Sequence, residues 1–197
     1  MCTCSTADYF FGNSTNLYDA GLTVRHVGAL NVDSALQWSF REYGSASDVF
    51  VAGWGAGGYG AALWSGKVAE QYSSSLVTLL IDSATDVTAL NATSTNVVEQ
   101  VAAVGLQQWR QIAYSSWKYS SSLTPVTALA SIPASQLSIE TLIAQTAAHF
   151  NSQNFRVARF NFAKDNEQVS AVHRSLLGSS HDFNDDVIHN GVPYDTA

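Results

Sequence analysis

The stretch "DVFVAGWGAGGYGAALWSGKVAEQY", residues 48–72, decides how the chain is read. Its apolar opening, 48–52, predicts a buried strand. Its glycines make a tight turn. The segment 60–72 then predicts a helix with Ala61, Trp64, Val68 and Tyr72 inward. Gly53, Gly55 and Gly58 spell G-x-G-x-x-G, the pattern of a turn that lets backbone approach a dinucleotide pyrophosphate. The same residues also form a strand–turn–helix elbow. Such an elbow exposes a nucleophile at strained backbone angles among small neighbours. Here Gly55 stands where that nucleophile would be.

Working outward, "SLVTLLID" (75–82) predicts a second buried strand, and two strands joined by a helix make a parallel β-α-β unit. Upstream, 22–27 predicts a short strand. Residues 31–43 predict an amphipathic helix capped by Asn31, with Val32, Leu36, Phe40 and Tyr43 on one face. Residues 1–21 read as loop. Downstream, 96–109 predicts a helix opened by Asn96 and Glu99 as a capping box, and 110–137 reads as irregular. Residues 138–150 predict a helix with Ile139, Leu142, Ile143, Thr146 and Phe150 on one face. A third strand follows at 155–162, a helix at 167–178, and a polar tail at 179–197. The alternation predicts a single α/β domain over 1–197, three-layered, with a mostly parallel central sheet.

Composition narrows the function. A net charge of −7 argues against nucleic acid, which needs clustered Lys and Arg. No apolar run reaches the roughly 18 residues of a membrane span. Cys2 and Cys4 lie too close to pair easily and are too few to hold a metal, so no metal site is expected. Two sequons, at Asn13 and Asn91, point weakly to secretion. The opening residues lack a basic and an apolar leader region, so extracellular location calls for a start upstream.

The dinucleotide reading assigns the ribose to Asp82, at the end of the second strand. Against it, a full helix precedes the fingerprint strand, and little chain remains for a substrate site. The elbow reading needs no cofactor, and it places oxyanion donors at the N-terminus of the following helix.

Further segments resemble the pectin acetylesterase family, whose relatives include Notum-type carboxylesterases. The family elbow runs G-x-S-A-G-G. Gly53, Ala56, Gly57 and Gly58 match it, with Gly55 at the serine position. "CSTADYFFGN" (4–13) is similar to an early C-T-G-D-x-H-x-G loop, with one extra residue and Phe10 near the histidine position. "RHVGALN" resembles H-x-G-x-x-N, and "LLIDSATDV" resembles a segment with D-S/A-G. "FNFAKDNEQ" resembles F-x-x-x-x-D-x-x-Q, so the resemblance makes Asp165 the triad acid, with Gln168 beside it. Residues 2–178 follow family order. The triad histidine is expected late, and His189 fits that place better than His181. The family's upstream oxyanion loop has no counterpart, which suggests a chain incomplete at one or both ends.

The resemblance implies an α/β-hydrolase-like fold and deacylation of acetylated pectin, a related polysaccharide or another ester. Without a nucleophile, a triad enzyme retains only about 10³–10⁴-fold catalysis over water. Little turnover is therefore expected, and a non-catalytic carbohydrate- or acyl-binding protein is the alternative. Trp54, beside the elbow, suits an acyl or sugar pocket and equally a packed core. Ser83 is the nearest substitute nucleophile, with a turn hydroxyl as its plainer role; Ser65 is too far along its helix. His26 and His149 read as structural, and His173 as a helix-surface residue.

Overall fold

The computed structural model describes residues 8–18, 21–84, 136–150 and 154–160, with single positions 115, 129, 132 and 133. Strands β1 (Ser14–Leu17) and β2 (Thr23–His26) form an antiparallel hairpin, with Ser14 opposite His26. Helix α1 (Gly28–Glu42) follows, then β3 (Asp48–Trp54), α2 (Ala56–Gln71) and β4 (Leu76–Asp82). Helix α3 (Ile139–His149) and β5 (Phe155–Phe160) complete the described elements. The described residues form an α/β fold built on a three-stranded parallel sheet in the order β3-β4-β5.

The central strand β4 carries the core. Val77, Leu79 and Ile81 are buried on one face, joined by Val49, Val51, Phe155 and Val157 from the flanking strands. Helices α2 and α3 each contact the sheet and also contact each other, so they share that face. Helix α2 can lie close because it is small-residue rich, and Ala61, Ala62, Trp64, Val68 and Ala69 are all buried. Tyr72 is buried just beyond it, and its hydroxyl donates to the Tyr43 carbonyl at 2.6 Å. Leu129, Ile132 and Leu137 add to the same core, so the span read as irregular contributes packing.

Four expectations are corrected. First, residues 14–17 are a strand; their polar sequence hides it, because β2 supplies the pairing. Second, α1 begins at Gly28, so Asn31 lies inside it. The Gly28 N–H is met by the Asp8 carboxylate at 2.7 Å, a cap borrowed from twenty residues upstream. Third, β3 is half-buried: its exposure alternates residue by residue, and Phe50 is 65% exposed. Fourth, Tyr43 is exposed, while Val32, Leu36 and Phe40 pack on the core as expected. The helices expected at 96–109 and 167–178, the tail at 179–197, Cys2, Cys4 and Asn91 lie outside the described residues.

Candidate functional site

The glycine turn is the centre of the candidate site. Gly55 takes φ 53° and ψ −122°, between the end of β3 and the start of α2. Left-handed φ of this kind costs an L-residue strain and costs glycine none. The turn is closed by two backbone bonds. Gly55 N–H donates to the Asp82 carbonyl at 3.0 Å, and Gly58 N–H to the Gly55 carbonyl at 2.9 Å.

The glycines do different work. A Cβ on Gly53 would stand 2.0 Å from the Gly57 carbonyl oxygen, so helix and strand can close only over a bare backbone. A Cβ on Gly58 would stand 2.4 Å from the Ala84 Cβ and 3.1 Å from Ile81 Cγ2. Gly58 therefore lets α2 lie down on the end of β4. Among the described residues, Gly55 and Gly57 face open space, with nothing within 4 Å of an added Cβ. Gly55 is thus demanded by backbone conformation alone. A side chain there would project freely from the carboxyl edge of the sheet.

Beside the turn, Trp54, Asp82 and Phe160 are register partners across the three strands. Trp54 is 61% exposed, which removes core packing as its role. Asp82 accepts the Ser83 hydroxyl at 2.9 Å. Ser83 is buried and has φ 49°, and its N–H donates to the Phe160 carbonyl at 2.8 Å. It therefore sits at the sheet edge as expected, its hydroxyl turned to the adjacent carboxylate. Ser65 is fully buried within α2 and donates to the Ala62 carbonyl at 3.2 Å, a structural hydroxyl. Arg159 reaches Glu140 at 2.8 Å and the Ala84 carbonyl at 3.3 Å.

A second constellation backs the first. Asp8 is wholly buried; its Oδ1 accepts Phe10 N–H at 3.1 Å and its Oδ2 accepts Gly28 N–H. Gly12 and Gly28 make room for it, since a Cβ on either would lie 2.1 Å from a carboxylate oxygen. Tyr9 and Phe10 both hold left-handed φ, at 52° and 69°. Phe10 then packs over Gly60, its carbonyl accepts Trp64 Nε1–H at 3.1 Å, and Tyr9 meets Tyr59 edge-on at 5.2 Å. The loop around Asp8 is thereby seated on the first turns of α2. Sequence reasoning missed Asp8 as an organising residue. The available signal was that the loop and the 26–31 segment both carry glycines where a buried acid needs space.

His26 is buried and its Nε2 lies 2.7 Å from the Tyr18 hydroxyl, consistent with a structural role; His149 is exposed, edge-on to Phe150. Asp165, Gln168, His173, His181 and His189 lie outside the described residues. Of the expected site residues, the structure brings together Trp54, Gly55, Ala56, Gly57 and Gly58 at one sheet edge. Among the described residues no three His, Cys, Asp or Glu side chains gather as metal ligands, and no helix is long and apolar enough to cross a membrane. No family model, curated protein or solved structure matches the chain.

Proposed function

We propose that this protein carries an esterase-type elbow that has lost its nucleophile, within a three-layer α/β-hydrolase-like domain of pectin acetylesterase type. It binds an acylated polysaccharide or another ester and turns it over poorly or not at all. One observation carries the reading: Gly55 holds φ 53° and ψ −122° at a strand-to-helix turn, with open space where a side chain would begin. A dinucleotide turn needs its glycines so that phosphate can come near the backbone. An elbow needs one strained residue whose side chain projects freely. Gly55 combines the backbone angles of an elbow with free space.

The roles follow from that placement. The N-terminus of α2 presents the backbone N–H groups of Ala56 and Gly57 at the turn, while the Gly58 N–H is held by the Gly55 carbonyl. A developing oxyanion would be met there. Trp54 offers an exposed ring beside it. Asp165 serves as the acid that orients a histidine, with His189 as that histidine; both assignments rest on the resemblance. Glycine at 55 leaves no group to form the acyl intermediate, so binding without turnover is the expected behaviour.

The test is hydrolysis of an aryl acetate by the chain and by Gly55→Ser. The expected outcome is near-background turnover by the chain and a rise in the variant. Turnover well above background by the unmodified chain would overturn the lost-nucleophile reading and direct attention to Ser83. A silent variant that remains folded would remove the elbow reading.

A second reading draws on Asp82. An acid at the carboxyl end of the strand after the glycine turn is where a dinucleotide ribose is held. It predicts quenching of tryptophan fluorescence by NAD or FAD. Absence of quenching at millimolar cofactor removes it.

A further inference from the structure

Trp54, Asp82 and Phe160 end the three strands at one level, as partners in register. Partners on adjacent strands point to the same side of a sheet. Alternation along β3 and β4 puts that side away from the buried face under α2 and α3. Strands lie about 4.8 Å apart, so Trp54 and Phe160 stand about 10 Å apart with the carboxylate between them. Both rings are more than half exposed, at 61% and 52%. An aromatic ring has an electron-rich face that attracts cations. Two such rings and a carboxylate across this gap match the size and charge of a small alkylated ammonium group.

We propose that this row is a binding site for an organic ammonium cation, seated between Trp54 and Phe160 and over Asp82.

The row is already fixed in place. Ser83 N–H bonds the Phe160 carbonyl and Gly55 N–H bonds the Asp82 carbonyl, tying the three strand ends together. Ser83 holds one carboxylate oxygen of Asp82; the other accepts no hydrogen bond among the described residues. Ser83 does this at φ 49°, a strained backbone that a plain strand end does not need. Among the described residues, neither nearby arginine neutralises the acid. Arg159 belongs to the opposite side and is engaged by Glu140 and the Ala84 carbonyl. Arg156 shares the open side but sits four residues earlier on β5, about 13 Å along the strand. A net charge of −7 further favours cations near the surface.

The site is tested with choline and its uncharged isostere 3,3-dimethylbutan-1-ol, titrated into the full chain while tryptophan fluorescence is followed. No ester is present, so the result is independent of the elbow reading. Choline gives a saturable change in the millimolar range, and the isostere binds at least roughly tenfold more weakly. Because the chain has 5 tryptophans, Trp54→Ala assigns the signal by removing it. Asp82→Asn weakens choline roughly tenfold and leaves the isostere unchanged. Phe160→Leu, read by calorimetry, repeats the test should Trp54→Ala lower Tm. Equal affinity for the two probes, no saturation by about 100 mM choline, or an unchanged Asp82→Asn overturns the proposal.

Discussion

Gly53 and Gly55 stand two positions apart and are glycine for opposite reasons. Gly53 lacks room, since its missing Cβ would enter the Gly57 carbonyl at 2.0 Å. Gly55 has room and lacks a comfortable conformation for anything larger. Their alanine variants should therefore separate in urea unfolding followed by circular dichroism. Gly55→Ala costs about 1–3 kcal/mol, the strain of a left-handed residue. Gly53→Ala costs more, beyond about 4 kcal/mol, because backbone of α2 must move away from β3. Equal losses would show that the turn relaxes around either side chain. The sequence makes the row of glycines plain and hides this division of labour. Which glycine faces a carbonyl and which faces solvent depends on how α2 lies against the sheet. Asp8 was hidden in the same way: its partners Gly12 and Gly28 come from separate segments that meet only after β1 and β2 have paired.

Elements were legible where one sequence segment contains its own signal. Helix α3 is the clearest. Ser138 stands just before the helix, its hydroxyl accepts Thr141 N–H at 3.0 Å, and Ile139, Leu142 and Thr146 are fully buried at helical spacing. Helix α1 was misplaced because its cap comes from Asp8, far outside the window in which Asn31 looked suitable. Strand β1 was missed because Ser, Thr and Asn carry no apolar alternation. The cap residue Ser138 and the buried Thr146 of α3 make opposite predictions in thermal and denaturant unfolding. Ser138→Ala removes a satisfied cap and should destabilise by about 1 kcal/mol. Thr146 is fully buried and its Oγ1 has no hydrogen-bond partner among the described residues. Thr146→Val keeps the shape and deletes a desolvated hydroxyl, so it should stabilise by about 1 kcal/mol or more. A destabilising Thr146→Val would mean that the hydroxyl has a bridging partner in solution.

At the scale of the molecule, the parallel β-α-β order was readable because apolar strand runs and helical spacing alternate along the chain. The unequal treatment of the two sheet faces was not. "DVFVA" reads as buried on both sides, yet Phe50 and Trp54 project outward, while Val49 and Val51 pack on the core. An apolar run records hydrophobicity without recording what covers it. The consequence is an asymmetry in what the sheet tolerates. Leu79 is fully buried in the central strand between β3 and β5, so Leu79→Ala leaves a cavity and should cost about 2–5 kcal/mol. Phe50 is 65% exposed, and threonine brings a β-branched side chain suited to a strand. Phe50→Thr should thus change stability by less than about 0.5 kcal/mol and raise solubility by removing an exposed ring. The pair is measured by urea unfolding and by the concentration at which each variant begins to scatter light. A large loss on Phe50→Thr would mean that the outer face is covered in the folded protein. Trp54 and Phe160 would then be packing residues, and the ammonium site would lose its open approach.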